Sequence, residues 1–400
     1  MTEAKPGLPA RIIQVVARFR PDADGVGETA LNLANVLLGD HGVRSDFLVY
    51  NSPHPEPALE IADDFPHTIK RVLGAGAAPF NSALDRLAAA HGPAPVMLLH
   101  YVPYGYSRQG VPTWLPPAME RFTGRGGRLL SLFHELYALP RFPSRTLFTS
   151  WLQRRIFRRL LAASEFVFSS SQDFLEVIAR NNYLRRPASL IGICSSAGEP
   201  ENPKPLDQRA RRLAVFGRFT TRKRLYENHL PQLAQVARHL GIEEIADIGA
   251  IEDPRWFDDQ VAGRLGPLLR SYGTLGVSSA SRLLEDSLVG VLDYPCFLRG
   301  KSSIYAAYQA HAAAILLFPA PGPADPHDEE NWPLGADELL ALPAQSPALF
   351  DRLRDAAAAG HRHYRRHRSA RSMVDTLLPA LKVAGSGIES AAAPRIGAEP

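Results

Sequence analysis

Short apolar runs alternate with amphipathic segments along most of the chain. Strands are predicted over residues 11–17, 47–50, 95–100, 128–133 and 165–168, then again over 213–216, 244–248, 287–292 and 313–318. Between them lie segments with helical periodicity. The helix predicted over 28–38 places Leu31, Ala34, Asn35 and Leu38 on one face. Others are predicted to begin near Gln172, to run over 304–314, and to fill 347–382. Strands separated by helices argue for parallel sheets with helices on both faces. The alternation breaks once, over 193–206, where Gly198, Pro200, Pro203 and Pro205 cluster. The expected fold class is therefore α/β, with two Rossmann-like doubly wound domains facing a cleft and a C-terminal helix. The boundaries follow: a flexible N-terminus at 1–10, a first domain at 11–192, a linker at 193–206, and a second domain at 207–345. A helical segment at 346–383 and a small-residue, disordered tail at 384–400 complete the chain.

Composition narrows the partners more than the fold. A net charge of +4 over 400 residues fits an anionic substrate or a membrane surface, but lacks the dense basic stripe of a nucleic-acid binder. Cys194 and Cys296 are too few and too distant for a disulfide framework or a zinc site, so a cytoplasmic setting is expected. Residues 1–10 lack the basic start and long apolar core of a signal peptide, and no apolar run is long enough to span a bilayer. One basic amphipathic segment, 150–164, sets Arg154, Arg155, Arg158 and Arg159 opposite Leu152, Ile156, Leu160 and Leu161. It reads first as a solvated helix face and second as a peripheral contact with the inner face of a membrane.

Candidate chemistry sits at the ends of the predicted strands, where ligands of such sheets bind. After the strand at 213–216, Gly217 permits a tight turn, and Arg218 and Lys223 can converge on one anionic group. Lys301, Ser302 and Ser303 open a helix, with Ser302 as its N-cap, and form a second anion cradle. Gly25, Val26 and Gly27 also open a helix, offering backbone N–H groups to an anion or a polar sugar. They lie too far from the first strand for a dinucleotide fingerprint, and Asn51 stands where a ribose-binding acid belongs. His134 and Glu135 follow one strand, the carboxylate placed to orient the imidazole. His100, Tyr101 and Tyr104 follow another, where tyrosine rings can stack on sugars. Asp22 and Asp24 spell a short acidic pair, but no metal role is assigned.

Taken together, these residues resemble the GT-B glycosyltransferases of the large retaining, nucleotide-sugar-dependent type. The resemblance runs over residues 11–380. Its most specific part is Phe216, Gly217 and Arg218 with Lys223, which matches a glycine–arginine motif with a lysine five residues on. Gly25 and Gly27 followed by Leu33, Leu37, His41, Gly42 and Val43 resemble the N-terminal glycine loop and first helix. His100 and Tyr101, Phe133 through Tyr137, Tyr294 and Pro295, and Ala306 through Tyr308 resemble a bacterial branch associated with surface polysaccharide synthesis. The resemblance implies metal-independent transfer from a UDP- or GDP-sugar to a glycan or lipid-linked acceptor, with no other cofactor. It makes Arg218, Lys223 and His134 catalytic. Gly25, Gly27, Gly217, Lys301, Ser302 and Ser303 become donor contacts, and His100, Tyr101, Tyr104 and Glu135 acceptor contacts. The chain departs from the family at Arg299 and Ala307, where many relatives carry a pair of glutamates. That departure keeps a catalytically silent nucleotide-sugar binding or scaffold protein open as the alternative.

Overall fold

The computed structural model describes residues 4–19, 25–50, 66–72, 74, 76–138, 146–318 and 333–382. The chain forms two compact units, Met1–Ile191 with Met373–Pro400, and Gly192–Ser372. In the first, β1 (Arg11–Val16), α1 (Gly25–His41), β2 (Arg44–Val49), β3 (Thr68–Arg71), α2 (Ala77–Ala90) and β4 (Val96–Tyr101) lead to the short turn α3 (Pro103–Tyr106). Then come α4 (Leu115–Gly124), β5 (Arg128–Phe133), α5 (Thr146–Ala163), β6 (Phe166–Ser169), α6 (Gln172–Asn181) and β7 (Ala188–Leu190). Every strand pair is parallel, in the order β3-β2-β1-β4-β5-β6-β7.

This sheet is buried on both faces, which is why its strands read as continuous apolar runs. Ile13, Val15 and Leu48 enter one core with Phe80, Leu99 and Phe133. Val16, Phe47 and Val49 enter another with Ala30, Leu31 and Ala34 of α1. Burying each large apolar side chain of this kind stabilises the fold by about 1.5–3 kcal/mol.

The second unit repeats the plan. β8 (Ala210–Phe216), α7 (Phe219–Leu240), β9 (Glu244–Ile248), the turns α8 (Pro254–Phe257) and α9 (Gly263–Leu265), and β10 (Leu269–Gly273) form one half. The other half holds α10 (Val277–Glu285), β11 (Ser287–Asp293), α11 (Ser303–Ala310), β12 (Ala314–Phe318), β13 (Leu334–Gly335), α12 (Ala336–Leu340), α13 (Pro347–His367) and the start of α14 (Ala370–Leu381). Its parallel order is β10-β9-β8-β11-β12-β13. In each sheet the chain winds outward both ways from a central pair, β1/β4 in the first and β8/β11 in the second. That pair is the topological switch point, where such folds open a crevice beyond the strand ends.

The structure amends several expectations. On α1 the buried face carries Leu33 and Leu37, while Asn35 is exposed and its amide meets His67. The helix expected over 304–314 stops at Ala310, because Ala312 takes a φ of 49° and the chain turns into β12. The long C-terminal helix breaks at Arg368 and Ser369, both of whose N–H groups return to the Tyr364 carbonyl. Within the Pro-rich segment from 193, Cys194 and Ser195 are fully buried, and the Ser195 N–H donates to the Tyr364 hydroxyl. Near the N-terminus, the Lys5 N–H donates to the His41 carbonyl at 3.0 Å. Asp22, Asp24, Asn51 and the tail from 384 lie outside the described residues.

Candidate donor and acceptor sites

The second sheet brings two of the expected motifs together. Gly217 leaves β8 with a φ of 134°, which an L side chain rarely adopts. A Cβ there would lie 2.4 Å from Cδ1 of Ile304, the second residue of α11. The turn after β8 therefore sits directly against the start of α11. Tyr308 fixes this approach. Its fully buried hydroxyl accepts from the Phe216 N–H at 2.9 Å and lies 3.0 and 3.1 Å from the Ala214 and Val291 carbonyls, tying α11 to both central strands.

Arg218 is the N-cap of α7 in an extended conformation and is exposed, without an ion pair among the described residues. Ser302 caps α11 by accepting from the Tyr305 N–H at 3.1 Å. The N–H groups before Tyr305 lie at the positive end of the helix, beside Lys301 and Ser303, and have no intrahelical acceptor. Arg368 sets the loop leading to this start. Its Nη2 donates to the carbonyls of Arg299, Gly300 and Ser302 at 3.2, 2.8 and 3.1 Å, and its Nη1 to Gln309 Oε1 at 3.0 Å. An exposed guanidinium, a helix N-terminus and a lysine on neighbouring strand ends make a site suited to a diphosphate.

Lys223 is placed differently from Arg218. It lies over the Trp256 ring at 4.4 Å, with carboxylates of Asp253 and Glu227 at 3.7 and 3.9 Å. Its charge is partly matched already, so an anion would compete with Asp253 for it.

Two features of this edge escaped the sequence reading. Arg222 is 1% exposed. It donates to the Gly217 carbonyl at 2.9 Å, and also to Asp247 Oδ1 and the Ala250 carbonyl. Asp247 in turn accepts from the Tyr226 hydroxyl at 2.7 Å. The arginine thus pins the turns after β8 and β9. Gly249 makes that packing feasible, since a Cβ on it would fall 2.3 Å from the Gly217 carbonyl oxygen. At the end of β11, the Asp293 carboxylate is 3.1 Å from Arg224 and 3.7 Å from His229, whose ring stacks on Phe318.

In the first unit, the expected acceptor residues separate into buried and open sets. His100 is fully buried and His134 is 8% exposed, their rings stacked with Nδ1 of His100 3.2 Å from Nε2 of His134. His100 Nε2 faces Gln14 Oε1 at 2.9 Å, and Gln14 Nε2 donates to Ser45 Oγ at 2.8 Å. A carboxamide oxygen only accepts, so His100 carries its proton on Nε2 and accepts at Nδ1 from His134 Nε2. Nδ1 of His134 is left as an acceptor, suited to a sugar hydroxyl. Burial holds His134 down to about 4, and burial with the neighbouring ring holds His100 well below its ordinary value, so both are neutral imidazoles. His100, not Glu135, orients His134; Glu135 is exposed.

Tyr101 is corrected from a ligand contact to a core residue. It is 0% exposed, packed edge-on against Phe133, and its hydroxyl has no partner among the described residues. His100 is likewise closed to a ligand and meets His134 instead. Tyr104 is 50% exposed and open. Tyr106, which closes the same tyrosine-rich run, is buried: its hydroxyl bridges the Val15 and His100 carbonyls at 3.1 and 2.9 Å and closes the end of the β1/β4 pair. At the start of α1, a Cβ on Gly27 would meet the Arg18 carbonyl oxygen at 2.8 Å, so the bare glycine lets the preceding chain pass, while Gly25 is exposed.

The sequence matches no protein-family model and no curated protein. Solved structures match across nearly the whole chain. Sucrose-phosphate synthase of Thermosynechococcus elongatus is similar at 14% identity and a TM-score of 0.62, covering 92% of this chain and 98% of its own. A mutant of Staphylococcus aureus TarM, solved with fondaparinux, α-GlcNAc-glycerol and UDP, is similar at 9% identity and a TM-score of 0.62, covering 93% and 100%. A Listeria monocytogenes protein described as a UDP-N-acetylglucosamine 2-epimerase is similar at 12% identity and a TM-score of 0.54, covering 93% and 96%. With two doubly wound parallel sheets and these structural neighbours, the chain has the GT-B fold.

Proposed function

We propose that the chain is a glycosyltransferase that moves a sugar from a UDP- or GDP-sugar to a glycan or lipid-linked acceptor. In this reading transfer needs no metal, retains the anomeric configuration and serves surface polysaccharide synthesis in the cytoplasm. The observation that carries it is the contact of Gly217 with Ile304, which sets exposed Arg218 beside the N-terminus of α11 at the switch point of the second sheet. The second unit binds the donor there. Arg218, the α11 N–H groups and Lys301 hold the diphosphate and stabilise its charge as the bond from C1 to the phosphate oxygen breaks. The acceptor oxygen bonds to C1, and its proton passes to the departing phosphate. Lys223 adds a second cation from the same helix. In the first unit, Nδ1 of His134 accepts a hydrogen bond from a sugar hydroxyl, with Tyr104 and Glu135 at the acceptor side. The UDP bound in the TarM structure supports the choice of ligand class.

A second reading, nucleotide-sugar binding without turnover, is favoured by one observation. Arg299 and Ala307 stand where relatives carry glutamates, and they are 5% and 0% exposed, so neither offers a carboxylate to a ribose.

Release of nucleoside diphosphate from a panel of UDP- and GDP-sugars, with and without glycan and lipid acceptors, separates the readings. Transfer predicts acceptor-dependent release that falls about 10²-fold or more in Arg218→Ala and up to about tenfold in His134→Ala, which loses one hydrogen bond. Binding without release would favour the second reading. An altered donor without acceptor would indicate epimerisation, and equal rates in Arg218→Ala would remove the donor-site assignment.

A further inference from the structure

Among the described residues, helix α5 has one face without a partner. Inward, Gln153, Ile156, Phe157, Leu160 and Leu161 are buried. Outward, Phe148 is 67% and Trp151 55% exposed, followed by exposed Arg154, Arg155 and Arg158. The spacing 148, 151, 155, 158 runs as one stripe along the helix, aromatic at its start and cationic at its end. The two aromatic rings stack at 6.1 Å. The stripe widens sideways onto the turn after α6, where Tyr183 is 79% and Leu184 58% exposed. That turn is joined to the helix by Arg158 Nε donating to Asn181 Oδ1 at 2.9 Å and Arg186 Nη2 to the Ala162 carbonyl at 3.4 Å.

Among the described residues, the charge on this face is only partly compensated. Arg159 pairs bidentately with Glu120 at 2.5 and 2.8 Å, and Arg180 pairs with Glu176. Arg154 lies over the Tyr137 ring, and Arg154, Arg155 and Arg158 have no acid partner among the described residues. A shallow groove of about 520 Å³ opens between these arginines and Trp151. A purely acidic partner would engage the arginines but leave four large apolar side chains in water. Aromatic rings beside arginines are what a bilayer interface receives, the rings at the acyl boundary and the guanidinium groups on phosphates. Among the described residues no helix is long and apolar enough to cross a membrane, so such contact would be peripheral.

We propose that the outer face of α5, with the turn after α6, docks on an anionic lipid bilayer. The proposal extends the lipid-linked acceptor of the preceding section, but its test reads binding alone, so either can fail without the other. The full chain is sedimented with vesicles of phosphatidylcholine alone and of phosphatidylcholine with phosphatidylglycerol, at low and high salt. Binding is expected only to the anionic vesicles and is expected to weaken with salt. At about fivefold per charge near the surface, Arg154→Gln with Arg155→Gln is expected to weaken it roughly 25-fold, with only the small drop in melting temperature that losing the Arg154 contact with the Tyr137 ring brings. Trp151→Ala tests the apolar arm and is expected to weaken binding at unchanged charge. Absence of wild-type binding, or unchanged binding in the double variant or in Trp151→Ala, would overturn the proposal. So would retention on heparin without vesicle binding, which would assign the face to an acidic glycan.

Discussion

Three arginines within two helical turns of each other do different work. Arg218 is exposed and Arg222 is buried with Asp247, while Arg224 holds Asp293. Removing one partner of a buried ion pair leaves an uncompensated charge and costs about 3–5 kcal/mol, whereas an exposed side chain costs about 0.5 kcal/mol or less. Arg222→Ala should therefore lower stability strongly in denaturant unfolding, and Arg218→Ala hardly at all. Similar losses in the two variants would mean that Arg222 is not the pin described here. The positions of Gly217, Arg218 and Ser302 at element ends were legible from sequence, because a glycine after an apolar run and a serine before a helix are local signals. The burial of Arg222 was not, since it depends on Asp247 arriving from β9. Tyr101 misled for a related reason. A tyrosine following a strand can face either a ligand or the core, and only the packing of Phe133 against it decides.

The inner strands were legible because each is an apolar run buried on both faces. Four strands were missed, β3, β7, β10 and β13. All four lie at sheet edges, and the first three carry largely exposed or half-exposed residues. β13 is only Leu334–Gly335, too short to leave a periodic signal. The placement of α11 likewise follows from a tertiary contact. Tyr308 reaches back to β8 and β11, and the bare Gly290 makes room, since a Cβ there would lie 2.3 Å from its ring. Tyr308→Phe would leave the part-buried Phe216 N–H without this partner, at a cost of about 1–3 kcal/mol. A lower denaturation midpoint with unchanged slope is expected. An unchanged midpoint would show that the hydroxyl does not tie α11 to the strands.

For the molecule as a whole, buried histidines set an acid limit. Burial pulls His67, His134 and His311 to about 4 and His100 well below its ordinary value. With an unfolded value near 6.5, the unfolded chain binds more protons than the folded one between about 6.5 and 4. Stability is then complete above that window and falls as pH drops through it, by up to about 1.4 kcal/mol per pH unit for each histidine. Unfolding free energy measured across this range should decline steeply, and a flat profile would contradict the neutral, buried assignment. The central claim is that the carboxyl edge of the second sheet binds a nucleoside diphosphate through Arg218 and the start of α11. Calorimetric titration of UDP and of GDP into the wild-type chain and into Arg218→Ala tests it most directly. A charged hydrogen bond is worth about 1.5–3 kcal/mol. One nucleotide should therefore bind the wild type and lose about tenfold to a hundredfold in affinity in the variant. Equal affinity in the two proteins, or no binding of either nucleotide, would contradict it.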